Sequence, residues 1–409
     1  GAALKQYLGI DIAKHEHVLG SRYESGEQHG KAFAFANDEK GFASLLERLR
    51  ELGAEPEESL VVMESTGHYW MALWEFLVAH GYEVAIVNPV LTDAFRKADT
   101  LRKTKTDRVD ALLIAEYARF KGLGPTRVSP EGAEGLKQLT RYRHHLVGER
   151  TALKNRLTSV ADRIFPELAG LFSDKHSATA RAILGEYGTA AKVAATDIRT
   201  LTGTVRSASR GRHGRAKAEE IKEAAKRSVG ATFAAGALAF EAGHIASLVE
   251  HLDAEVAILD AEIARLLDPE VGALLQTIPG IGPVCAAAIA AEVGDPDRFD
   301  DPKKLMAYAG MDSTKFQSGK FDGDEQHMSK RGSAPLRNAL MTAADGARRL
   351  DPYFGDYYVS LRARGKHHYV AVSGCARKLF GVILAVLRER RPYETRPSVQ
   401  SQQKQPDQG

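Results

Sequence analysis

The chain contains little cysteine and no long apolar run. Its 409 residues include two cysteines, Cys285 and Cys375, each within a helical stretch of small residues. Two distant thiols exclude a disulfide framework and a zinc-ligand set, and we predict that both are buried. Because no apolar run approaches the roughly 18 residues that cross a bilayer, and the N-terminus lacks the charged and apolar parts of a signal peptide, we expect a cytoplasmic protein without a membrane partner.

A strong excess of one charge sign is also missing. The formal net charge is +3, with 44% hydrophobic and 27% charged residues, so we expect a globular protein with two or three domains. The distribution of charge is more informative than its sum, because clustered lysine and arginine residues are typical of proteins that bind a polyanion.

Residues 1–128 predict an α/β domain. Apolar alternation and turns containing Gly and Asn predict three strands, followed by a helix, a strand, a helix, a strand and further helices. This order is that of a ribonuclease H-like fold. The predicted strands are 7–12, 18–23, 31–36, 60–64 and 82–87, and the helices after the fourth strand are about 68–80, 90–98 and 106–121.

Four carboxylates occupy informative positions in this domain. Asp11 lies between two isoleucines in the first strand, Glu64 ends the fourth strand, and Asp107 and Asp110 lie three apart at a helix start. The helix macrodipole explains the last two, and taken alone that explanation is the stronger one. A buried strand acid such as Asp11 is costly unless it is paired or binds a cation, so together the four predict a Mg²⁺ or Mn²⁺ site for phosphodiester chemistry.

A basic stretch surrounds the last two acids. A solvated surface loop would explain these cations, but beside a metal site they are better explained by contact with nucleic-acid phosphates. The residues concerned are Arg102, Lys103, Lys105 and Arg108, with Arg96 and Lys97 upstream.

Residues 129–268 predict a helical, partly coiled-coil region. Apolar stripes run over residues 136–164 and 245–266, and Arg143 and Arg150 interrupt the first at positions where the repeat would be apolar. The stripes pair either with each other in one chain or with another subunit. A Gly-, Ser- and Arg-rich segment between them is either a mobile loop or a contact to RNA or DNA backbone. Its arginines are Arg210, Arg212 and Arg215.

Residues 269–394 predict a mainly helical domain. Gly280 and Gly282 precede an Ala-rich helix in a pattern typical of a helix-hairpin-helix, whose backbone amides approach a DNA phosphate. A plain helical turn is the alternative. His367 and His368, further along, are either exposed surface residues or assistants in proton transfer.

A loop in the same region contains Ser318 before a glycine. Its hydroxyl is exposed on flexible backbone, with cations nearby that can hold a phosphate. From chemistry alone Ser318 is one loop serine among several, because serine is a poor nucleophile without a base or a metal. The competing serines are Ser313, Ser329 and Ser333, and the cations are Lys320, Lys330 and Arg331.

The sequence around the four acids resembles a known family. Gly-Ile-Asp-Ile, Met-Glu-Ser-Thr-Gly and Lys-Thr-Asp-Arg-Val-Asp-Ala resemble the DEDD transposases of bacterial insertion sequences of the IS one-ten (IS-110) type. The first domain of that family is similar to RuvC-type Holliday-junction resolvases. The resemblance implies that Asp11, Glu64, Asp107 and Asp110 are the catalytic acids, and that Ser318 is the nucleophile of a second, C-terminal transposase domain.

The resemblance also implies the partners. They are double-stranded donor and target DNA, a structured guide RNA whose base pairing supplies specificity, and further copies of the chain in a dimer or tetramer at the bacterial nucleoid. We therefore predict a transposase that cuts and rejoins DNA. The alternatives are a metal-dependent resolvase that hydrolyses branched DNA with water and a non-enzymatic nucleic-acid scaffold. The Gln-, Pro- and Ser-rich tail, 395–409, is expected to be disordered.

Overall fold

The chain folds into two compact units. A computed structural model describes residues 5–65, 68–87, 89–99, 106–126, 131–312, 317–318, 321–322 and 328–395. At residues 90, 98, 99, 131, 317, 318, 321 and 322 the description covers the backbone alone. The units are Gly1–Val128 and Ser129–Gly409. The predicted disordered tail lies outside the described residues except for residue 395, and the predicted boundary at residue 268 stays a prediction.

The first unit is a five-stranded mixed sheet with helices. The strand order is β3-β2-β1-β4-β5; β1, β2 and β3 are antiparallel, and β1, β4 and β5 are parallel. The elements are β1 (Gln6–Asp11), β2 (Glu16–Tyr23), β3 (Phe33–Ala36), α1 (Glu39–Glu51), β4 (Ser59–Glu64), α2 (Trp70–Ala79), β5 (Glu83–Val87), α3 (Pro89–Asp99) and α4 (Asp107–Lys121). All five predicted strands and the predicted helices are confirmed within a few residues, and the topology is consistent with a ribonuclease H-like layout.

Helix α4 packs directly on the sheet because two strand residues lack side chains. A Cβ atom at Gly9 of β1 would lie 2.1 Å from the carbonyl oxygen of Ala111, and one at Gly20 of β2 would lie 2.8 Å from the amide nitrogen of Leu112. Both distances are too short for any side chain, so these glycines allow the helix backbone to approach the strands. Ile114 and Ala118 of α4 are buried on the same face.

Among its described residues, the second unit is mainly helical and has one short hairpin. Two long helices, separated by four shorter ones, precede a C-terminal group of helices. The elements are α5 (Glu131–Ile164), α6 (Ala178–Glu186), α7 (Ala190–Ala195), α8 (Ile198–Ala208), α9 (Arg215–Lys226), α10 (Ala235–Leu266), α11 (Pro269–Gln276), α12 (Pro283–Val293), α13 (Pro302–Tyr308), β6 (Gln317–Ser318), β7 (Phe321–Asp322), α14 (Ala334–Leu350), α15 (Pro352–Ala363) and α16 (His368–Glu389).

Helices α5 and α10 pack against each other within one chain. The two arginines that interrupt the apolar stripe of α5 form ion pairs with α10: Arg143 with Asp260, and Arg150 with Asp253 at 2.7 Å. An arginine at such a position keeps its aliphatic stem on apolar neighbours and its charge on a carboxylate. Of the two arrangements that the sequence left open, the structure has the intramolecular one, while the coiled-coil geometry stays a prediction.

Helix α16 is the centre of the C-terminal core. Its buried residues include Cys375, Leu379 and Phe380, and burial raises the pKa of the Cys375 thiol to about 11. Among the described residues, α16 alone is long and apolar enough to cross a membrane by length and composition, although 61% of its apolar window is buried inside the fold. Arg377 and Lys378 interrupt its apolar sequence, and it packs as a core helix. Cys285, predicted to be buried, is partly exposed.

Candidate catalytic centre

Asp11 and Glu64 lie side by side at the ends of two parallel strands. The register pairs Tyr7 with Leu60 and Gly9 with Val62, so the next positions on the same face are Asp11 and Glu64. This face is the one that α4 covers, since Gly9 contacts the α4 backbone. Both acids are partly buried. The sheet therefore presents two carboxylates to the helix that contains the other two predicted acids.

The first turn of α4 lies at the same end of β1. Ala111 faces Gly9, whereas Arg119, near the other end of α4, donates a hydrogen bond to the carbonyl of Glu24, which lies beside the start of β1. The helix therefore runs opposite to β1, and its N-terminus points toward Asp11. Asp110 in this turn is buried, with 8% of its side chain exposed, whereas Asp107 is exposed.

Helix α3 contacts two of the acids. The buried Thr92 donates a hydrogen bond from Oγ1 to Glu64, and the Arg96 guanidinium lies 3.1 Å from Oδ1 of Asp110. Thr92 and Arg96 are four residues apart, so they occupy adjacent turns of one helix face, and their Cβ atoms lie about 6 Å apart. Glu64 and Asp110 consequently converge on one short segment of α3. Sequence reasoning missed Thr92, which belongs to no acidic or basic motif.

The contacts of Arg96 differ from those that the sequence suggested. Arg96 was grouped with cations that contact nucleic-acid phosphates, but its guanidinium lies beside Asp110 and 3.5 Å from Asp93. Lys97 likewise pairs with Asp93 at 2.7 Å. Of the other predicted phosphate contacts, Arg108 is exposed, while Arg102, Lys103 and Lys105 lie outside the described residues.

The donor set is suited to a hard divalent cation, although the side chains are not arranged as a ligand set. Carboxylate oxygens are the ligands that Mg²⁺ and Mn²⁺ prefer. Within the described ranges, no three His, Cys, Asp or Glu side chains lie close enough to hold one ion. Asp110 faces the positive charge of Arg96 instead. This centre thus already accommodates a cationic group, and a metal ion would compete with Arg96 for Asp110.

Ser318 lies in the hairpin of β6 and β7. The backbones of Gln317 and Ser318 pair antiparallel with those of Asp322 and Phe321. Lys320 and the competing Ser313 lie outside the described residues. Near the ends of this segment, Ser329 donates both its amide and its hydroxyl to Asp312, so these two residues join the chain before and after the hairpin.

The remaining predicted nucleic-acid contacts occupy varied positions. Gly280 has φ +89°, and a Cβ there would lie 2.3 Å from the carbonyl oxygen of Ala343, so packing on α14 requires this glycine. Gly282 caps α12 and faces open space. The predicted contact of these glycines with DNA stays a prediction. Arg210 and Arg212 lie in the turn between α8 and α9, Arg215 pairs with Glu219 at 2.7 Å, and Lys330 and Arg331 are exposed.

Comparison with known proteins identifies the family. A model of the DEDD transposases of the IS110 type matches residues 8–166, and a model of the transposase IS116/IS110/IS902 family matches residues 272–359. The chain belongs to this transposase family. It is 28% identical over 403 residues to an uncharacterized protein of insertion element IS116 from Streptomyces clavuligerus, which covers 96% of this chain and 97% of the relative.

Other relatives extend over most of the chain. A pilin gene-inverting protein of Moraxella bovis is 24% identical over 396 residues, 96% of this chain and 98% of the relative. An uncharacterized protein of insertion element IS110 from Streptomyces coelicolor is 28% identical over 299 residues, 72% of this chain and 73% of the relative. As a member of this family, the chain is a DNA transposase. The first matched segment contains the four acids and the second contains Ser318.

Proposed function

We propose that this transposase cuts and rejoins DNA at a metal-bound centre of Asp11, Glu64, Asp107 and Asp110, with Ser318 as the nucleophile. The observation that carries the proposal is that Asp11 and Glu64 occupy adjacent strand positions on the face that α4 covers, while Asp110 lies in the first turn of α4 at the same end of the sheet. Acids at least partly buried at one end of a sheet are costly for stability, and cation binding explains why they are present. The first unit is thereby a RuvC-like, ribonuclease H-like domain.

The residues of this centre have distinct tasks. Thr92 donates a hydrogen bond to Glu64, and this contact would orient the carboxylate toward a cation. Asp110, which now lies beside Arg96, would bind the cation in its place, and the exposed Asp107 would complete the ligand set from the solvent side. Bound Mg²⁺ or Mn²⁺ would polarise the scissile phosphate and stabilise the charge that develops on its oxygens.

The covalent step exchanges one phosphate ester for another. The Ser318 oxygen forms a bond to phosphorus, the bond from phosphorus to a sugar oxygen breaks, and the serine proton leaves as the sugar oxygen gains one. Attack by the hydroxyl of a new strand reverses the step and releases the serine. No nucleotide cofactor is needed, because the ester energy is conserved.

The contacts of the competing serines support the choice of Ser318. The Ser329 hydroxyl donates a hydrogen bond to the Asp312 carboxylate. Ser333 caps α14 by accepting a hydrogen bond from the Leu336 amide at 3.1 Å. Both hydroxyls therefore have a structural task near the hairpin. Ser329 and Ser333 are therefore less suited to act as the nucleophile, since attack on a phosphate would require each hydroxyl to give up its contact.

The proposal includes the partners of the reaction. Donor and target DNA are bound by a homo-oligomer, a dimer or tetramer, together with a structured guide RNA that pairs with both. Basic segments such as Arg210 and Arg212 hold phosphates without reading bases, and pairing with the RNA then supplies the specificity. The helix-hairpin-helix at Gly282 adds a further phosphate contact.

Two substitutions test the mechanism with the full-length protein, its element DNA and the RNA that copurifies with it. Asp11→Asn should abolish strand cleavage, while Ser318→Ala should abolish both the covalent protein–DNA adduct, detected by denaturing gel electrophoresis, and strand exchange. Ser329→Ala and Ser333→Ala are matched controls and should retain the adduct. Strand cleavage by Ser318→Ala without an adduct would establish water as the nucleophile, as in a resolvase. Unchanged activity of Asp11→Asn would refute the acidic centre.

A further inference from the structure

The turn between α15 and α16 is an exposed basic segment of the second unit. Helix α15 ends at Ala363 and α16 begins at His368, and the turn contains Gly365 in a left-handed conformation with φ +76°. A Cβ at Gly365 would face open space. The turn is therefore exposed, and it is short enough to have one defined shape. Its cations are Arg362, Arg364 and Lys366.

Backbone contacts fix the two arginines. Arg362 donates from Nη1 to the carbonyl of Lys366 at 2.8 Å, and Arg364 donates from Nε to the carbonyl of Ser360 at 3.2 Å. Arg362 thus uses part of its donor set on a carbonyl of the turn, and Arg364 on a carbonyl in the last turn of α15. The remaining N–H groups are available to an acceptor outside the protein.

Among the described residues, no acid forms an ion pair with the cations of this turn. The sequence from residue 357 to residue 387 contains no Asp or Glu. Across the part of the chain that the structure describes, Arg362, Arg364 and Lys366 form no ion pair, whereas many other surface cations do, such as Arg265 with Glu262 at 2.6 Å. The N-terminus of the long helix α16 adds positive potential at the same place. The turn is consequently suited to a polyanion.

An exposed aromatic residue follows the cations directly. Tyr369, in the first turn of α16, is 68% exposed, although a tyrosine ring normally packs against the protein. His367 stacks on it with ring centroids 5.8 Å apart and an interplanar angle of 29°. His368, on the other side, is held by the Tyr358 hydroxyl at 2.9 Å. The imidazoles limit the motion of the Tyr369 ring while leaving most of it accessible.

We infer that this turn binds unpaired nucleotides of a nucleic acid, with phosphates on Arg364 and Lys366 and a base stacked on Tyr369. Stacking requires a base whose face is free, as in a single strand or a hairpin loop, because a duplex hides base faces inside its own stack. The inference rests on the proposed function only in requiring that the substrate be a nucleic acid. Single-stranded DNA at a cleaved end and a loop of the guide RNA are the two sources of such nucleotides.

Binding of labelled oligonucleotides to the full-length protein tests the inference. The probes are a single-stranded DNA, an RNA hairpin with a 2-aminopurine in its loop, and a blunt duplex DNA. Tyr369→Ala should weaken binding of one or both unpaired probes about tenfold and leave duplex binding unchanged. Tyr369→Trp should restore binding and quench the 2-aminopurine fluorescence. The unpaired probe that loses affinity identifies the source.

Charge removal gives an independent measurement. The double substitution Arg364→Ala, Lys366→Ala should lower the dependence of log Kd on log salt for that probe by about 1.4, since each of the two phosphate contacts contributes about 0.7 for a single strand. Phe240→Ala is the matched aromatic control, because Phe240 is 80% exposed but is followed by Glu241. Arg265→Gln is the charge control. Neither control should alter binding.

Three outcomes would overturn the inference. They are unchanged binding by Tyr369→Ala, an equal loss for duplex and unpaired probes, or a loss that Tyr369→Trp does not restore. If one of these results is obtained while the protein still cleaves DNA strands, only the inference about this turn fails and the proposed transposase mechanism stands. A wild-type protein that binds none of the probes would overturn both proposals.

Discussion

The two units each contain a buried carboxylate beside an arginine, and the two pairs differ in how completely the acid is satisfied. In the second unit Glu292, with no exposed side-chain surface, accepts two hydrogen bonds from Arg141 at 2.6 and 2.9 Å and a third from Tyr308 at 2.9 Å. In the first unit the Arg96 guanidinium lies near one oxygen of Asp110, and Arg96 also lies near Asp93.

The difference separates a structural acid from a candidate catalytic one. Burial alone would raise the pKa of Glu292, but hydrogen bonds and the charge of Arg141, with hydrogen bonds from Tyr308 and Ser333, lower the pKa below its ordinary value. A fully bonded carboxylate has no free lone pair for another ligand. Asp110 shares its arginine with a second acid, and exchange of that cation for a metal ion costs less.

The largest expected effect is the loss of strand cleavage when Asp110, the acid of the pair in the first unit, is substituted. Asp110→Asn removes a charge from the proposed metal site and should reduce strand cleavage at least about a thousandfold, equivalent to ~4 kcal/mol. Its free energy of unfolding should change by less than about 1 kcal/mol, because Arg96 retains Asp93. A cleavage assay and chemical denaturation measure the two quantities. A variant that is active, or inactive only because it unfolds, would remove the distinction between the pairs.

Substitution of Glu292 should have the opposite consequence. Glu292→Ala leaves the half-buried Arg141 without its carboxylate and should lower the free energy of unfolding of the second unit by about 3–5 kcal/mol. Urea denaturation of the full chain, followed by a probe in α12 or α14, measures the loss. The matched substitution Asp110→Ala should cost far less. Equal losses for the two would mean that both pairs are structural.

Metal affinity provides another test of the difference between the Asp110–Arg96 pair and the Glu292–Arg141 pair. If Arg96 and a divalent ion compete for Asp110, Arg96→Gln should bind Mn²⁺ about tenfold more tightly than wild type, a change of about 1.4 kcal/mol. Isothermal titration calorimetry or the electron paramagnetic resonance of free Mn²⁺ gives the Kd. Arg141→Gln serves as the control and should leave Mn²⁺ binding unaltered. Weaker binding by Arg96→Gln would contradict the competition.

The smallest expected effect concerns the pH dependence of the Glu292 network. Burial, with the nearby charge of Glu292, raises the pKa of Tyr308 to about 12, whereas an unfolded tyrosine titrates near ~10. The folded state therefore holds this proton more tightly, so the stabilisation is complete below about pH 10 and is lost as the pH rises toward 12. Tyr308→Phe should lose less stability than wild type over this range in thermal melts. Identical pH profiles would show that Tyr308 does not contribute.

Most of the first unit could be predicted from its sequence. The strands alternate in hydrophobicity or are continuously apolar, turns contain Gly and Asn, and the helices have apolar stripes, so local patterns were sufficient for element order. The acids Asp11 and Glu64 were recognisable because a carboxylate in an apolar strand is costly. The contacts of Thr92 and Arg96 could not be predicted, because nothing in the local sequence of a polar helix indicates which residues its threonine and arginine will contact.

The second unit was less predictable because its contacts join distant segments. The stripes of α5 and α10 were visible, but the sequence was equally compatible with pairing between subunits. The ion pairs Arg143–Asp260 and Arg150–Asp253 show the intramolecular arrangement. Gly280 was assigned to phosphate contact from its motif, while its close approach to Ala343 depends on the packing of two helices more than fifty residues apart in the chain.

By itself, the sequence determined most of the secondary structure and the α/β character of the first unit, and it singled out the candidate acids, because periodicity and the cost of a buried charge are local properties. Only the tertiary structure decided which acids share a face, which arginine neutralises which carboxylate, and that Gly9 and Gly20 admit α4 to the sheet. Those properties depend on strand register and on the approach of backbones distant in sequence. The charge and hydrophobicity of individual residues do not reveal the strand register or the close approach of distant backbones.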